Sequence, residues 1–334
     1  MNTPPLLEVE NLEVNFSMPG GLIQAVRGVS FNLDEGEILG LVGESGSGKS
    51  VSTQAIPALL PKNALARGSV RYRGTELLGR SVSFLREYRG KKIGMIFQEP
   101  GRSYDPLQNM GSVFLETFRN SGPSVTKKEA ADRAVSLLAE TGLEKGRERL
   151  SNFPHQFSGG QLQRIGIALA LAQGCGLLIA DEPTTALDVT IQKQIVMLLR
   201  KLRETRRISI IFISHDVNLV AEIAGRILVM YGGLIMEGGP ASLFAEEGAK
   251  ALHPYSRALL AASPRFGSHY SRERLRTIPG RVTDPANPGP GCPFAPRCTE
   301  ARGECGESIP PLCAPGGEEN NGHEVRCTLY KRGR

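Results

Sequence analysis

Ile38-Leu-Gly-Leu-Val-Gly-Glu-Ser-Gly-Ser-Gly-Lys-Ser50 is the stretch on which the fold turns. Its first five residues form an apolar run of the length of one buried strand. The next eight fit the pattern Gly, any four residues, Gly-Lys-Ser. A strand, a glycine-rich loop and a helix starting at Lys49 make the opening of a parallel α/β sheet. Glycines let successive backbone N–H groups converge on phosphate oxygens at a helix N-terminus, where the dipole also favours negative charge. The expected nucleotide contacts are Gly43, Ser45, Gly46, Ser47, Gly48, Lys49, Ser50 and Val51. Lys49 neutralises the β- and γ-phosphates, and the Ser50 hydroxyl ligates Mg²⁺. A glycine-rich turn that merely joins strand to helix is the bland alternative; having strand, Lys and Ser all in register argues against it.

Working outward, Leu177-Leu-Ile-Ala-Asp-Glu182 is a second apolar strand that carries two carboxylates to its C-terminal end. Asp181 suits a Mg²⁺-linked role and Glu182 a general base that orients water. Ile208–Ile213 has the β-branched content of a third central strand. In open α/β sheets, ligands bind where such strands end. On the N-terminal side, Leu12–Phe16 and Val29–Leu33 alternate in polarity around a Pro19-Gly-Gly21 turn and read as an antiparallel β-region. The charged, helix-favouring stretch from about Val113 to Leu150, with Lys127–Thr141 inside it, reads as a helical insertion.

Composition excludes few classes. The net charge of +6 reflects 40 basic against 34 acidic residues, an excess that a solvated surface explains. The N-terminus has neither a basic n-region nor an apolar h-region, so a cytoplasmic location is expected. The longest charge-free apolar stretch, Ile165–Ala180, contains Gln173, Gly174 and Gly176 and falls short of the roughly 20 residues of a spanning helix. Contact with a membrane is therefore expected to run through partner subunits.

Phe157-Ser-Gly-Gly-Gln-Leu-Gln-Arg164 resembles the signature of the ABC ATPases, with Phe157 where many members have Leu. Around it the remaining elements of that family stand in order. Gln98 in Ile96-Phe-Gln-Glu-Pro100 resembles the Q-loop, Asp188 the D-loop, and His215 in Ile213-Ser-His-Asp216 the H-loop. Phe16 stands at the place of the aromatic that stacks on adenine. The resemblance implies an α/β fold: a P-loop NTPase cassette of RecA-like core, antiparallel β-subdomain and helical subdomain at about residues 100–165. It also implies head-to-tail closure of two cassettes around ATP. Ser158, Gly159, Gly160 and Gln161 would then serve the partner's nucleotide. Glu182 would activate water, His215 would contact the γ-phosphate, and Gln98 would join Ser50 and Asp181 around Mg²⁺.

His253-Pro-Tyr-Ser-Arg-Ala-Leu-Leu260, Ile278-Pro-Gly280 and Gly291-Cys-Pro-Phe-Ala-Pro-Arg-Cys298 resemble the C-terminal extension of bacterial dipeptide and oligopeptide importer ATPases. What this implies is a cassette over residues 5–255 and an extension over 256–334 that powers peptide uptake from the cytoplasmic face of the inner membrane. The implied partners are a second, related ATPase subunit, two membrane permease subunits and an extracytoplasmic peptide-binding protein, with no nucleic acid. The same engine serving nickel or glutathione uptake is the alternative. A soluble ABC ATPase acting on ribosomes or nucleic acid is a further one, although such proteins carry paired cassettes or a long coiled coil. Arg102-Ser-Tyr-Asp-Pro106 departs from the family's usual Ser-Leu-Asn-Pro run in the region that meets membrane subunits.

After about Ser263 Pro and Gly multiply, and five of the six cysteines fall between Cys292 and Cys327. Cys292, Cys298, Cys305 and Cys327 are separated by five, six and twenty-one residues, with Cys313 and His323 nearby. A cytosolic chain seldom uses disulfides, so metal binding is the first hypothesis. Residue chemistry leaves Zn²⁺, an iron–sulfur cluster and free thiols open. The family resemblance favours a 4Fe-4S cluster, with a structural role in a segment poor in apolar residues. Cys175 reads as a buried core thiol.

Overall fold

The computed structural model describes residues 4–121, 125–185, 187–245, 250–263, 277–315 and 322–330. In its first half the regular elements are β1 (Leu7–Met18), β2 (Gly21–Leu33), β3 (Ile38–Val42), α1 (Lys49–Ala55), β4 (Ala64–Tyr72), β5 (Thr75–Glu76), α2 (Val82–Leu85), β6 (Ile93–Ile96), α3 (Met110–Ser121), α4 (Lys127–Glu140) and α5 (Gly146–Arg149). There follow α6 (Gly159–Ala172), β7 (Leu177–Asp181), α7 (Val189–Arg206), β8 (Ser209–Ser214), α8 (Val217–Ile223), β9 (Arg226–Tyr231), β10 (Leu234–Pro240), α9 (Pro254–Ala262) and β11 (Glu324–Val325). Contacts group them into two units, residues 1–34, 38–79 and 212–334 in the first, and 35–37 and 80–211 in the second.

The first unit holds an antiparallel sheet of order β2-β1-β4-β5. Period-two alternation on either side of a bulge at Glu10–Asn11 buries Leu7 and Val9, then Leu12 and Val14. The β1–β2 hairpin pairs from Leu7↔Leu33 to Met18↔Gly21, longer than the two apolar runs suggest. β4 supplies the reason: it pairs with β1 from Leu7↔Tyr72 to Phe16↔Ala64, so the backbone of polar residues such as Glu8 and Glu10 is also satisfied.

In the same unit a second sheet runs β11-β10-β9-β3, with β8, whose last residues belong here, beside β3. β3 lies parallel to β9, from Leu39↔Arg226 to Val42↔Val229. All five β3 residues are buried, which its unbroken apolar run requires. β10 returns antiparallel to β9 and takes the short β11 on its other edge. Glu237, fully buried on β10, accepts the backbone N–H groups of Leu252 (2.7 Å) and His253 (3.0 Å), and His323 Nε2 stands 2.8 Å from it. One carboxylate thus ties the start of α9 and the approach to β11 to the sheet. Burial keeps His253 neutral, lowering its pKa to about 4. The compositional break after Ser263 opens onto residues 264–276, which lie outside the described residues.

In the second unit β6 and β7 pair parallel, from Ile93↔Leu177 to Ile96↔Ala180. Helix α6 packs on β6 and against α3 and α4, with Phe114, Phe118, Ala134, Leu138 and Ile165 in the apolar contact. The charged stretch expected to be helical forms α4, started by a capping box between Thr126 and Glu129 and stopped at Thr141. Among the described residues no helix is long and apolar enough to cross a membrane.

Candidate functional site

Backbone geometry builds the phosphate loop in the first unit. Val42 ends β3, and the chain enters α1 through Gly43 (φ 151°) and Gly48 (φ 100°), both in the left-handed range that favours glycine. A Cβ on Gly43 would lie 2.2 Å from the Met230 carbonyl, and one on Gly48 2.5 Å from the Ala25 carbonyl, so neighbouring backbone leaves room for no side chain at either position. The buried Lys49 ammonium donates to the carbonyls of Gly43 (2.8 Å) and Glu44 (2.9 Å) and to Ser47 Oγ (3.3 Å). This folds the cation back over its own loop, a cradle of fixed positive charge.

The rest of the expected set in this unit is placed as follows. Ser45 and Gly46 are exposed, Ser47 is buried, and Ser50 and Val51 are half-buried in the first turn of α1. Phe16 is half-buried near the end of β1, opposite Ile23 and Ala64. His215 is exposed and follows the C-terminal end of β8, just before Asp216 caps α8 by accepting from the N–H groups of Asn218 and Leu219.

In the second unit Asp181 is buried at the end of β7, and Glu182 follows at φ 46°. That left-handed conformation is unusual for a non-glycine residue. Its carboxylate Oε2 accepts from Gln98 Nε2 (3.0 Å) and Thr185 Oγ1 (2.7 Å). The carboxylate is therefore aimed by two donors and by the backbone. Thr185 was not among the residues expected from sequence, although it lies in the Pro-Thr-Thr run directly after Glu182.

The signature run sits at a helix start in the same unit. Ser158 caps α6 by accepting from the Gln161 N–H, and the Gln161 side chain returns a bond to the Ser158 N–H. Gly159 is exposed and Gly160 buried, where a Cβ would meet Ile191 Cγ2 at 2.8 Å. Asp188 caps α7 through the Ile191 N–H (3.0 Å). The N-terminus of α6, a 14-residue helix, carries the positive end of its dipole at the signature run.

Two residues of the first unit that lie in the C-terminal stretches, outside the nucleotide motifs, touch the phosphate loop. Arg297 forks onto the Glu44 carboxylate at 2.6 and 3.0 Å, and the Tyr255 hydroxyl accepts the Glu44 N–H at 2.8 Å. Hydrogen bonding to Glu44 raises the pKa of the Arg297 guanidinium further, and burial raises that of Tyr255. Arg297 belongs to the Gly291–Cys298 stretch that resembles the importer C-terminal extension, where nothing in the local pattern singles it out.

None of the six cysteines forms a disulfide. Cys292, Cys298, Cys305 and Cys327 line one cavity together with Phe294 and Thr328. Burial raises the Cys292 thiol to about 11 and raises Cys298 and Cys327 as well. Cys313 is turned elsewhere, towards the carbonyls of Val325 and Tyr330, and Cys175 is a buried core thiol raised to about 11. Among the described residues no group of three or more His, Cys, Asp or Glu is spaced to hold a metal ion. The cavity brings together four soft sulfur donors, the donor set that Zn²⁺ and an iron–sulfur cluster share.

Comparison with known proteins gives the family. Residues 26–185 match the ABC transporter family and residues 236–305 the oligopeptide/dipeptide transporter C-terminal region. The oligopeptide transport ATP-binding protein OppD of Bacillus subtilis is 45% identical over 311 residues, covering 92% of this chain and 85% of that protein. The protein of the same name from Mycobacterium tuberculosis is 44% identical over 309 residues, covering 92% of this chain and 50% of its own. Among solved structures, a dimeric ATP-binding cassette in a post-hydrolysis state with ADP and Pi superposes with a TM-score of 0.64 at 29% identity, over 70% of this chain and 98% of that one. The chain belongs to the ABC transporter family, as an ATP-binding protein of its oligopeptide/dipeptide type.

Proposed function

We propose that the protein hydrolyses ATP to drive uptake of di- or oligopeptides through membrane permease subunits, working at the cytoplasmic face of the inner membrane. The match of residues 236–305 to the oligopeptide/dipeptide transporter C-terminal region carries the substrate class. In this reading residues 5–255 form the cassette and 256–334 its extension. Lys49 and the loop N–H groups hold the phosphates, Phe16 stacks on adenine, and Ser50, Gln98 and Asp181 surround Mg²⁺. Glu182, aimed by Gln98 and Thr185, takes the proton of the attacking water, and His215 contacts the γ-phosphate. Ser158, Gly159, Gly160 and Gln161 complete the nucleotide site of a second ATPase subunit, whose own signature run completes this one. A related but distinct second subunit and an extracytoplasmic peptide-binding protein belong to the same proposal.

The assembled transporter in vesicles, with its binding protein inside, provides the test. ATP turnover stimulated by di- or oligopeptides is the expected result. Stimulation by nickel or glutathione with peptides silent would overturn the substrate class, and co-purification with ribosomes in place of permeases would overturn the transporter reading.

A 4Fe-4S cluster is the centre proposed for Cys292, Cys298, Cys305 and Cys327, supported by the cavity they share, with Zn²⁺ as the alternative. Bound there, it would cross-link segments that have little apolar core of their own. Anaerobic purification should yield about four iron and four sulfide per chain, the stoichiometry of a cubane cluster held by four cysteines. Stoichiometric zinc without sulfide would refute it.

A further inference from the structure

Glu44 is the second residue of the phosphate loop, a position the Gly-x4-Gly-Lys-Ser pattern leaves open. A carboxylate there is electrostatically adverse, since like charge raises the free energy of a bound triphosphate over several ångströms. Yet every polar group of Glu44 is held. Its N–H donates to Tyr255, its carbonyl accepts from Lys49 Nζ and the Ser47 N–H (3.2 Å), and its carboxylate receives the Arg297 fork.

Arg297 is equally committed. Its five N–H donors meet five acceptors: two Glu44 oxygens, the Tyr231 hydroxyl (3.1 Å), and the carbonyls of Ile278 (3.0 Å) and Pro279 (2.9 Å). Only 3% of its side chain is exposed. The guanidinium stands over the rings of Tyr231 and Phe294 at 5.6 and 5.9 Å, and Tyr255 packs on both rings. A buried planar fork with all donors used fixes the Glu44 side chain in one place and cancels its charge.

From this geometry we infer that Arg297, assisted by Tyr255, is a positioning residue for nucleotide binding: it neutralises Glu44 and sets the backbone of the phosphate loop, so the C-terminal region determines how tightly the cassette holds ATP. The inference rests on residues 43–50 being the phosphate cradle. It acts through affinity and leaves the water-activating chemistry of Glu182 untouched.

ATP binding to the purified full-length chain by calorimetry, and ATP turnover in the assembled transporter, test it. Arg297→Gln should weaken ATP binding about tenfold, the effect of one unneutralised charge near the phosphates at intermediate dielectric. It should raise KM correspondingly, with kcat at saturating ATP unchanged within about twofold. The double variant Glu44→Gln/Arg297→Gln should recover affinity to within about threefold, because the repelling charge is gone. A role confined to packing would not be relieved by that second change. Tyr255→Phe removes one hydroxyl and keeps the aromatic packing. It should weaken ATP binding about threefold, as one lost neutral hydrogen bond predicts, and it stands in if Arg297→Gln does not fold. Wild-type affinity in folded Arg297→Gln, or in Tyr255→Phe when that variant stands in, would overturn the inference, as would a loss that Glu44→Gln fails to relieve. Lys49→Ala serves as the reference: if it too bound ATP normally, the reading of the cradle itself would be the one that fails.

Discussion

Glu182→Gln is expected to slow ATP turnover in the assembled transporter about 10²- to 10⁴-fold, the range lost with a positioned general base. The substitution keeps an oxygen that can accept from Gln98 and Thr185, so the loop geometry is retained while the proton acceptor is lost. Nucleotide affinity should change by less than about threefold, since in the proposed role the side chain acts on water and not on the phosphates. Steady-state phosphate release measured beside ATP binding separates the two quantities. Turnover within about tenfold of the parent would remove Glu182 from its role. The left-handed backbone at φ 46° adds a structural side to the same residue. Strain of this kind persists only where surrounding contacts hold it, and the two side-chain hydrogen bonds are among those that do so here.

Lys49→Ala is expected to weaken ATP binding about 10- to 100-fold, the equivalent of losing one charge-assisted hydrogen bond to the triphosphate. Lys49→Arg should rescue little, because the ammonium fits a cradle lined by the carbonyls of Gly43 and Glu44 and by Ser47 Oγ, which a planar fork cannot enter in the same way. Equilibrium binding with Mg²⁺ present gives the measurement, and an affinity within threefold of the parent for Lys49→Ala would remove the residue from the phosphate site. Such a change should leave the melting temperature within a few degrees, because the hydrogen bonds that the buried ammonium makes to Gly43, Glu44 and Ser47 are lost together with its own desolvation penalty.

What could be read from the chain alone was whatever depends on local pattern. The apolar run Ile38–Val42 became β3 without a change of boundary, and Leu177–Ala180 became β7 with one residue more. Lys127–Thr141 became α4, because a capping threonine, a glutamate three residues on and a helix-favouring composition all act within a few turns. The β1–β2 hairpin came out longer than its apolar stretches, since pairing with β4 decides where the strands end and local alternation does not. The conformation of Glu182 was illegible for another reason: nothing in a glutamate announces positive φ, which is imposed by the turn and held by Gln98, 84 residues away. Least legible of all was the Arg297–Glu44 pair, separated by 253 residues. No spacing rule reaches that far, and the cysteines on either side drew the eye to a different chemistry.

The pairing of β3 with β9 has a consequence in time. The strand that carries the phosphate loop is made at residues 38–42, whereas its parallel neighbour arrives only at 226–231. At roughly 5–20 residues per second, about 180 residues of synthesis keep one edge of that apolar strand waiting for about 10–40 seconds. During that interval Ile38-Leu-Gly-Leu-Val42 is a short, uncharged, pairing-competent segment of the kind that nucleates aggregates. The polar residues on its two flanks, Asp34 to Glu37 before it and Glu44 to Lys49 after it, act as gatekeepers on the nascent chain. The loop proposed to hold ATP thus also flanks its own strand with charge while that edge waits for its partner.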